Sequence, residues 1–280
     1  MVKTMKSQWE CVLQNLGEWQ GSFTRLSPTG EEIEDIPSLI SLTGVDENRA
    51  IHLSLTRHYP DAEGILQPQE MAFDFSEPSP GAIFFETGAF SEGSISWRMG
   101  ALGGAEFAFK HEDRRLRLIP QYDGDGKFFR LTQIREGRVG TNAPERPPLE
   151  LADWLGVWQG EAVTRYPGST QVSESPTVQT AALTDDRTVA SSRSIGSQVT
   201  ESILTIDAST PTRLTNQSTQ AILLPDAAYV LCPTQFVPGV AIELEVGWSI
   251  EPNLRQRLIR TYTDRGEWFS LTFITESRSG

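Results

Sequence analysis

A ten-residue phrase near the start of the chain returns, one residue longer, in its middle. Leu16–Arg25 reads LGEWQGSFTR and Leu155–Arg165 reads LGVWQGEAVTR; five of the first six positions are identical and both copies close on Thr-Arg. A second match fixes the register. Arg117–Arg138 (RLIPQYDGDGKFFRLTQIREGR) and Arg257–Arg278 (RLIRTYTDRGEWFSLTFITESR) agree at 11 of 22 positions with a constant offset of 140 and no gap. Two anchors at opposite ends of one register define a duplicated unit of about 140 residues, the size of a single domain. The fold must therefore be one that half the chain can complete. Between the copies runs Gly137–Pro148, GRVGTNAPERPP, with the composition of a linker. The sequence predicts two domains, residues 1–144 and 145–280.

Each unit opens on a short helical pattern. Trp9, Val12, Leu13 and Leu16 fall on one helix face and Gly17 ends it. In the second unit Leu151, Trp154 and Leu155 follow Pro147-Pro148 and precede Gly156. The rest is strand material, short runs rich in β-branched and aromatic residues, separated by Gly, Pro, Asp and Ser. The runs predict strands at Leu39–Leu42, Ala50–Tyr59, Gln69–Phe75, Ala82–Glu86, Ser94–Met99, Glu106–Lys110, Arg115–Gln121 and Phe128–Arg135. In the second unit they fall at 178–183, 188–194, 201–206, 212–220, 229–232, 241–248, 256–261 and 268–275. Many close-spaced strands behind one short helix predict an all-β fold of two antiparallel barrels. The last two strands of each unit form a hairpin over DGDG at 123–126 and TDRG at 263–266. Only the final glycine is common to both, which favours turn chemistry over a calcium loop.

Charge narrows the function. A net charge of −13 repels a phosphate backbone and an anionic membrane, which argues against nucleic-acid and membrane partners. No window approaches the roughly 18 apolar residues of a membrane span, and the N-terminus lacks the apolar run of a signal peptide. Cys11 and Cys232 lie in different units without metal-ligand spacing. These features predict a cytoplasmic protein with reduced thiols.

A helix leading into Gly-x-Trp on the first strand, followed by a meander whose last strand ends in Arg, resembles the lipocalins and the wider calycin superfamily. The resemblance covers both units and implies lipocalin-like barrels closed at one end by a tryptophan with an arginine over its ring. The matching residues are Trp19 with Arg138 and Trp158 with Arg278. Guanidinium over indole gains about 0.5–2 kcal/mol. The TDY-type motif of secreted lipocalins is absent. The two-copy layout and the phrase RQRLIRTYTDRGEWFSLTFITESR are similar to a cyanobacterial tandem-calycin family of uncharacterised function, and the phycobiliprotein chromophore lyases are a better-understood calycin relative.

Small barrels either fill their interior or hold one small ligand. Residues that differ between the copies are where function can be installed. On Ile51–Tyr59, His52 and His58 share one strand face with Ser54 and Thr56, facing either the lumen or water. About 20 Å of strand separates the two imidazoles, so they share no metal. No HxH or HExxH spacing occurs, and neither a metal nor another cofactor is expected. Arg260-Thr-Tyr262 resembles the Arg-x-Tyr that grips a carboxylate in cytosolic fatty-acid-binding proteins, but the first copy carries Pro120-Gln-Tyr122, so a structural role for the tyrosine is the alternative. Arg115 and Arg117 pair with Arg255 and Arg257; facing outward they are solvated or balanced by Glu243 and Glu245, and facing inward they form an anion site. Phe90 and Trp97 are candidate pocket walls, with Glu86–Gly93 as a lip. Candidate ligand-binding residues are thus His52, His58, Glu70, Phe90, Trp97, Tyr122, Arg260 and Tyr262.

No GxSxG elbow, P-loop or GxGxxG marks an enzyme. Three functions stay open. The first is a binder of a small apolar or amphipathic molecule such as a pigment, tetrapyrrole or fatty acid. The second is a calycin-like cyclase, isomerase or lyase using His58 and Tyr122 for proton transfer. The third is a scaffold with filled barrels that binds a protein partner.

Overall fold

The computed structural model of the protein describes residues 5–279; Met1–Thr4, on which the N-terminal reading partly rests, and Gly280 lie outside them. Helix α1 (Gln8–Val12) is started by a capping box, in which the Ser7 hydroxyl accepts from Glu10 N–H and the Glu10 carboxylate accepts from Ser7 N–H. It tightens into a 3-10 turn at Leu13–Asn15 and stops at Gly17, whose φ of +128° excludes most side chains. Strands β1 (Gly17–Leu26), β2 (Glu32–Val45), β3 (Ala50–Pro60), β4 (Leu66–Phe75), β5 (Ala82–Phe84), β6 (Phe90–Gly93), β7 (Gly103–His111), β8 (Arg114–Tyr122) and β9 (Phe128–Arg138) follow. The second half repeats the plan with α2 (Leu151–Trp154), β10 (Gly156–Arg165), β11 (Val172–Leu183), β12 (Thr188–Ile195), β13 (Gln198–Ile206), β14 (Arg213–Thr215), β15 (Thr219–Leu224), β16 (Ala228–Pro233), β17 (Ile242–Glu251), β18 (Leu254–Tyr262) and β19 (Trp268–Ser279).

The fold is all-β, as the sequence predicts, and the two halves differ in closure. Strands β10 to β19 form a closed antiparallel barrel. The first nine strands form one sheet in the order β4-β3-β2-β1-β9-β8-β7-β6-β5, barrel-like but without hydrogen bonds between β4 and β5. The corresponding seam in the second half is stitched by Thr205–Thr215 and Ile206–Leu214. The difference is an extra strand: β5 pairs Phe84 with Phe90 as β15 pairs Leu223 with Tyr229, so β14 has no counterpart in the first half. Between β4 and β5 the chain reads Ser76-Glu-Pro-Ser-Pro-Gly81, and Pro78 and Pro80 have no N–H to give a ladder.

The main core lies between the halves. Phe107 and Phe109 on β7, and Leu116 and Leu118 on β8, pack from the outer face of the first sheet on Leu244, Val246, Trp248 and Leu258 of the second. Contacts across this joint come in pairs related by 139–140 residues. Phe128 N–H donates to the Thr234 carbonyl and Trp268 N–H to that of Ile95, both at 3.0 Å; Trp97 N–H donates to Gly266 and Phe236 N–H to Gly126. This is the reciprocal pattern of a two-fold dimer, here within one chain. It explains why Ser94–Met99, predicted as a strand, is not one: its backbone crosses to the other half, and the pairing strand is Phe90–Gly93, the end of the Glu86–Gly93 stretch predicted as a lip. Residues 212–220, predicted as one strand, are β14 and β15 around a turn in which Asn216 Oδ1 accepts from Ser218 and Thr219 N–H. Among the described residues no helix is long and apolar enough to cross a membrane.

Candidate functional site

Register decides which side chains enter each lumen. Trp19 pairs with Ile40 on one side and Arg138 on the other, and Ile40 pairs with Leu55. Trp19 is fully buried, donates its indole N–H to the Asn15 carbonyl, and carries Arg138 at 4.4 Å and Arg115 at 4.9 Å from its ring centre. Trp158 carries Arg255 at 4.1 Å and Arg278 at 5.2 Å in the same way. Two guanidiniums therefore contact each indole; the second, from β8 and β18, has no counterpart in the sequence reading.

Arg115 and Arg117 point inward and share one carboxylate. Arg115 Nε donates to Glu136 at 2.7 Å and Arg117 Nη2 at 2.8 Å; Arg117 also reaches Glu106 at 3.1 Å. Burial pushes the Glu136 carboxyl up, but the two guanidiniums outweigh it and hold it below the usual carboxylate range. The second half repeats the set with Arg255, Arg257, Glu276 and Glu245. Glu245 is held at about 2, because Arg257 and Arg193 outweigh the burial that alone would raise it.

Around this shared floor the halves diverge. In the second lumen, Gln179 accepts from Arg255 Nη2 at 2.9 Å, Arg193 spans to Glu243 and Glu245, and the Tyr229 hydroxyl donates to Glu245 at 2.6 Å. The corresponding first-half positions are Ile40, Leu55 and Phe90, fixed by their pairing with Trp19, Ile40 and Ala108. The second lumen keeps a cavity of about 490 Å³ with a polar lining that includes Thr164, Arg193, Glu243 and Thr272, whereas that of the first, about 460 Å³, is largely apolar. Its walls are Ile40, Leu42, Leu53, Phe75, Phe84 and Phe90, its floor Arg115 and Arg117, and it lies along the open seam, where Pro78 and Pro80 border it. Phe84 and Phe90 stack at 4.6 Å. Two of its lining residues, Arg115 and Asn15, carry a buried polar atom without a hydrogen-bond partner, Nη2 and Oδ1. A larger concavity of about 710 Å³ borders the second half, but Ile203, Val237 and Val240 on its walls are at least half exposed. It opens at the rim of the second barrel, where the lumen-facing Thr200, Leu231 and Glu243 also line it.

Of the residues singled out from sequence, Phe90 lines the cavity. His52 and His58 lie on the opposite face of β3 from Leu53; His52 is exposed and paired with Asp74 at 2.6 Å. Glu70 is exposed on the outer face of β4. Trp97, Tyr122 and Tyr262 meet in the joint, with Trp97 at 4.8 Å from Tyr122 and 5.5 Å from Tyr262. Arg260 does not face a ligand either. Its Nε donates to the Tyr262 hydroxyl, and its other nitrogens donate to the Gly81 and Ser94 carbonyls of the first half. The Arg-x-Tyr pair thus clamps the halves together. The departures of Trp97, Tyr122, Arg260 and Tyr262 share one cause, cover by the other half, whereas His52, His58 and Glu70 stand on the outer face of β3 and β4.

The fold defines a tandem β-barrel protein whose two lumens share a tryptophan–arginine floor and differ in lining, largely apolar in the first and polar in the second. The chain belongs to the DUF3598 family. The family profile described as "Domain of unknown function (DUF3598), N-terminal" matches residues 5–141, and the one described as "Biogenesis factor required for ATP synthase 1, C-terminal domain" matches residues 145–279. A DUF3598 protein of unknown function from Nostoc punctiforme is 39% identical, covers 98% of this chain and 100% of its own, and superposes with a TM-score of 0.90. An S-type phycobiliprotein lyase from Guillardia theta aligns over 98% of this chain and 94% of its own at 13% identity, with a TM-score of 0.20, too low to bear on this chain. No curated protein matches.

Proposed function

We propose that the protein binds a small apolar or amphipathic molecule in the lumen of its first, calycin-like barrel. The observation that carries this reading is internal to the chain. Two lumens built on the same tryptophan floor differ in the chemistry of their lining, where Gln179, Arg193 and Tyr229 of the second give way to the apolar Ile40, Leu55 and Phe90 of the first. A cavity of about 460 Å³ with aliphatic and aromatic walls and two charged groups at its floor has the size and composition of a small-molecule site. The open seam beside Pro78 and Pro80 gives it access. His58 and Tyr122, the residues considered for proton transfer, lie outside this cavity, so the reading is one of binding.

The test uses the full chain and the neutral dye Nile red, whose fluorescence rises in an apolar site. The wild type is expected to enhance it at micromolar concentration. Leu53→Trp, which places an indole in the cavity, is expected to abolish the enhancement. No enhancement by the wild type, or equal enhancement by the folded variant, overturns the reading.

A further inference from the structure

We propose that the first lumen selects a carboxylate, seated on Arg115 with its apolar body against Phe84 and Phe90. The inference deepens the binding reading above and rests on it. Arg115 is 3% exposed, lines the cavity, and has an Nη2 with no hydrogen-bond partner. A buried guanidinium that leaves an N–H without an acceptor costs stability, so one that lines a cavity is matched to something the cavity receives. The second half shows what that something replaces. Arg255, the counterpart of Arg115, gives its Nη2 to the Gln179 side-chain oxygen at 2.9 Å, and the residue equivalent to Gln179 is Ile40, on the cavity wall. The ligand oxygen therefore stands where the second half has an amide oxygen of its own.

Charge says which kind of oxygen. In the second lumen two fully buried arginines, Arg255 and Arg257, face two fully buried carboxylates, Glu245 and Glu276. In the first, Arg115 and Arg117 face the fully buried Glu136 and the partly exposed Glu106, which pairs with Arg117 alone. An anion makes a charge-assisted bond to Arg115 where a neutral acceptor would not. Glu77 and Glu92 at the rim are exposed and solvated, so they repel an incoming anion only weakly. The apolar wall excludes a small hydrophilic anion. What fits is an amphipathic molecule with one carboxylate.

The experiment compares two probes on the full chain, 11-(dansylamino)undecanoic acid and its methyl ester, which differ in charge at one end. The wild type is expected to bind the acid at least about tenfold more tightly than the ester. Ile40→Gln, which returns the internal acceptor to Arg115, and Arg115→Met are each expected to bring that ratio to about one. Because the readout is a ratio, loss of cavity volume in Ile40→Gln does not imitate the result. Equal affinities in the wild type, or a ratio unchanged in folded Ile40→Gln, overturn the carboxylate assignment while leaving a binding cavity in place. Failure of both probes and of Nile red overturns the binding reading itself and the carboxylate with it.

Discussion

Tyr122 and Tyr262 occupy equivalent places in the two halves, and each donates its hydroxyl across the joint, Tyr122 to the Pro233 carbonyl at 2.8 Å and Tyr262 to the Ser94 carbonyl at 2.9 Å. Ser94 and Pro233 are themselves 139 residues apart, so the two bonds are one bond made twice. Burial raises both phenols above their ordinary range, which keeps them protonated donors. A duplicated unit that docks reciprocally on its own copy buries its largest apolar faces between the halves. Each lumen is thereby relieved of supplying the main core.

The joint predicts a stability effect without a binding effect. Tyr122→Phe and Tyr262→Phe each leave a carbonyl without that donor and are expected to cost about 1–3 kcal/mol by urea denaturation. Both rings pack on Trp97, so the double variant is expected to depart from the sum of the singles by about 0.5 kcal/mol or more. Dye binding in the first lumen should be unchanged. A variant that keeps its stability and loses binding would place Tyr122 in the site instead.

Each indole at a barrel floor holds two arginines in place. Trp19→Ala and Trp158→Ala remove a fully buried ring and are expected to cost about 3–5 kcal/mol each. Trp19→Ala should also abolish dye binding, because Arg115 loses the ring that supports it at the cavity floor. Trp158→Ala, if folded, should bind as the wild type does. Equal binding losses in the two variants would mean that the second lumen takes part.

The exposed face of β3 and β4 is expected to be silent. His52→Ala and Glu70→Ala remove side chains in water, and the His52–Asp74 pair is an exposed ion pair of small energy. Each should change stability by no more than about 0.5 kcal/mol and leave Nile red binding unaltered. A tenfold loss of binding in either would show that the lumen assignment has the strand faces reversed.

The repeat, the strand-rich units, the leading helices and the Trp–Arg pairs at 19/138 and 158/278 were all legible in the sequence, because each rests on local pattern or on a match between the copies. The faces of β7, β8, β17 and β18 were not. A strand's alternation says that two faces exist and not which one meets a neighbour, and here the apolar outer faces are buried by the other half while arginines point inward. Polar-versus-apolar reasoning therefore left both His52 and Arg115 undecided between lumen and outer face. The missing signal lay in the same offset that revealed the repeat. Carried along β2, it sets Ile40 against Gln179, an apolar residue where the other copy hydrogen-bonds an arginine. That comparison needs only the sequence once Trp19 and Trp158 are aligned.

The buried charge clusters predict how the protein fails in acid. Glu245 has its carboxyl held at about 2 against an ordinary 4.5, so the folded state binds its proton less readily than the unfolded chain does. The stability this contributes is fully present above pH 4.5 and is lost as pH falls from there towards about 2. Glu136 is shifted in the same direction and adds to the same limb. Glu245→Gln leaves Arg193 and Arg257 short of an anionic partner and is expected to cost about 3–5 kcal/mol at pH 7. The gap between wild type and variant should then narrow as pH is lowered below 4.5, because the wild type is losing the charge the variant never had. Thermal melts of both proteins between pH 7 and pH 3 check this. Melting curves that stay parallel across that range would show that Glu245 does not carry its charge in the folded barrel.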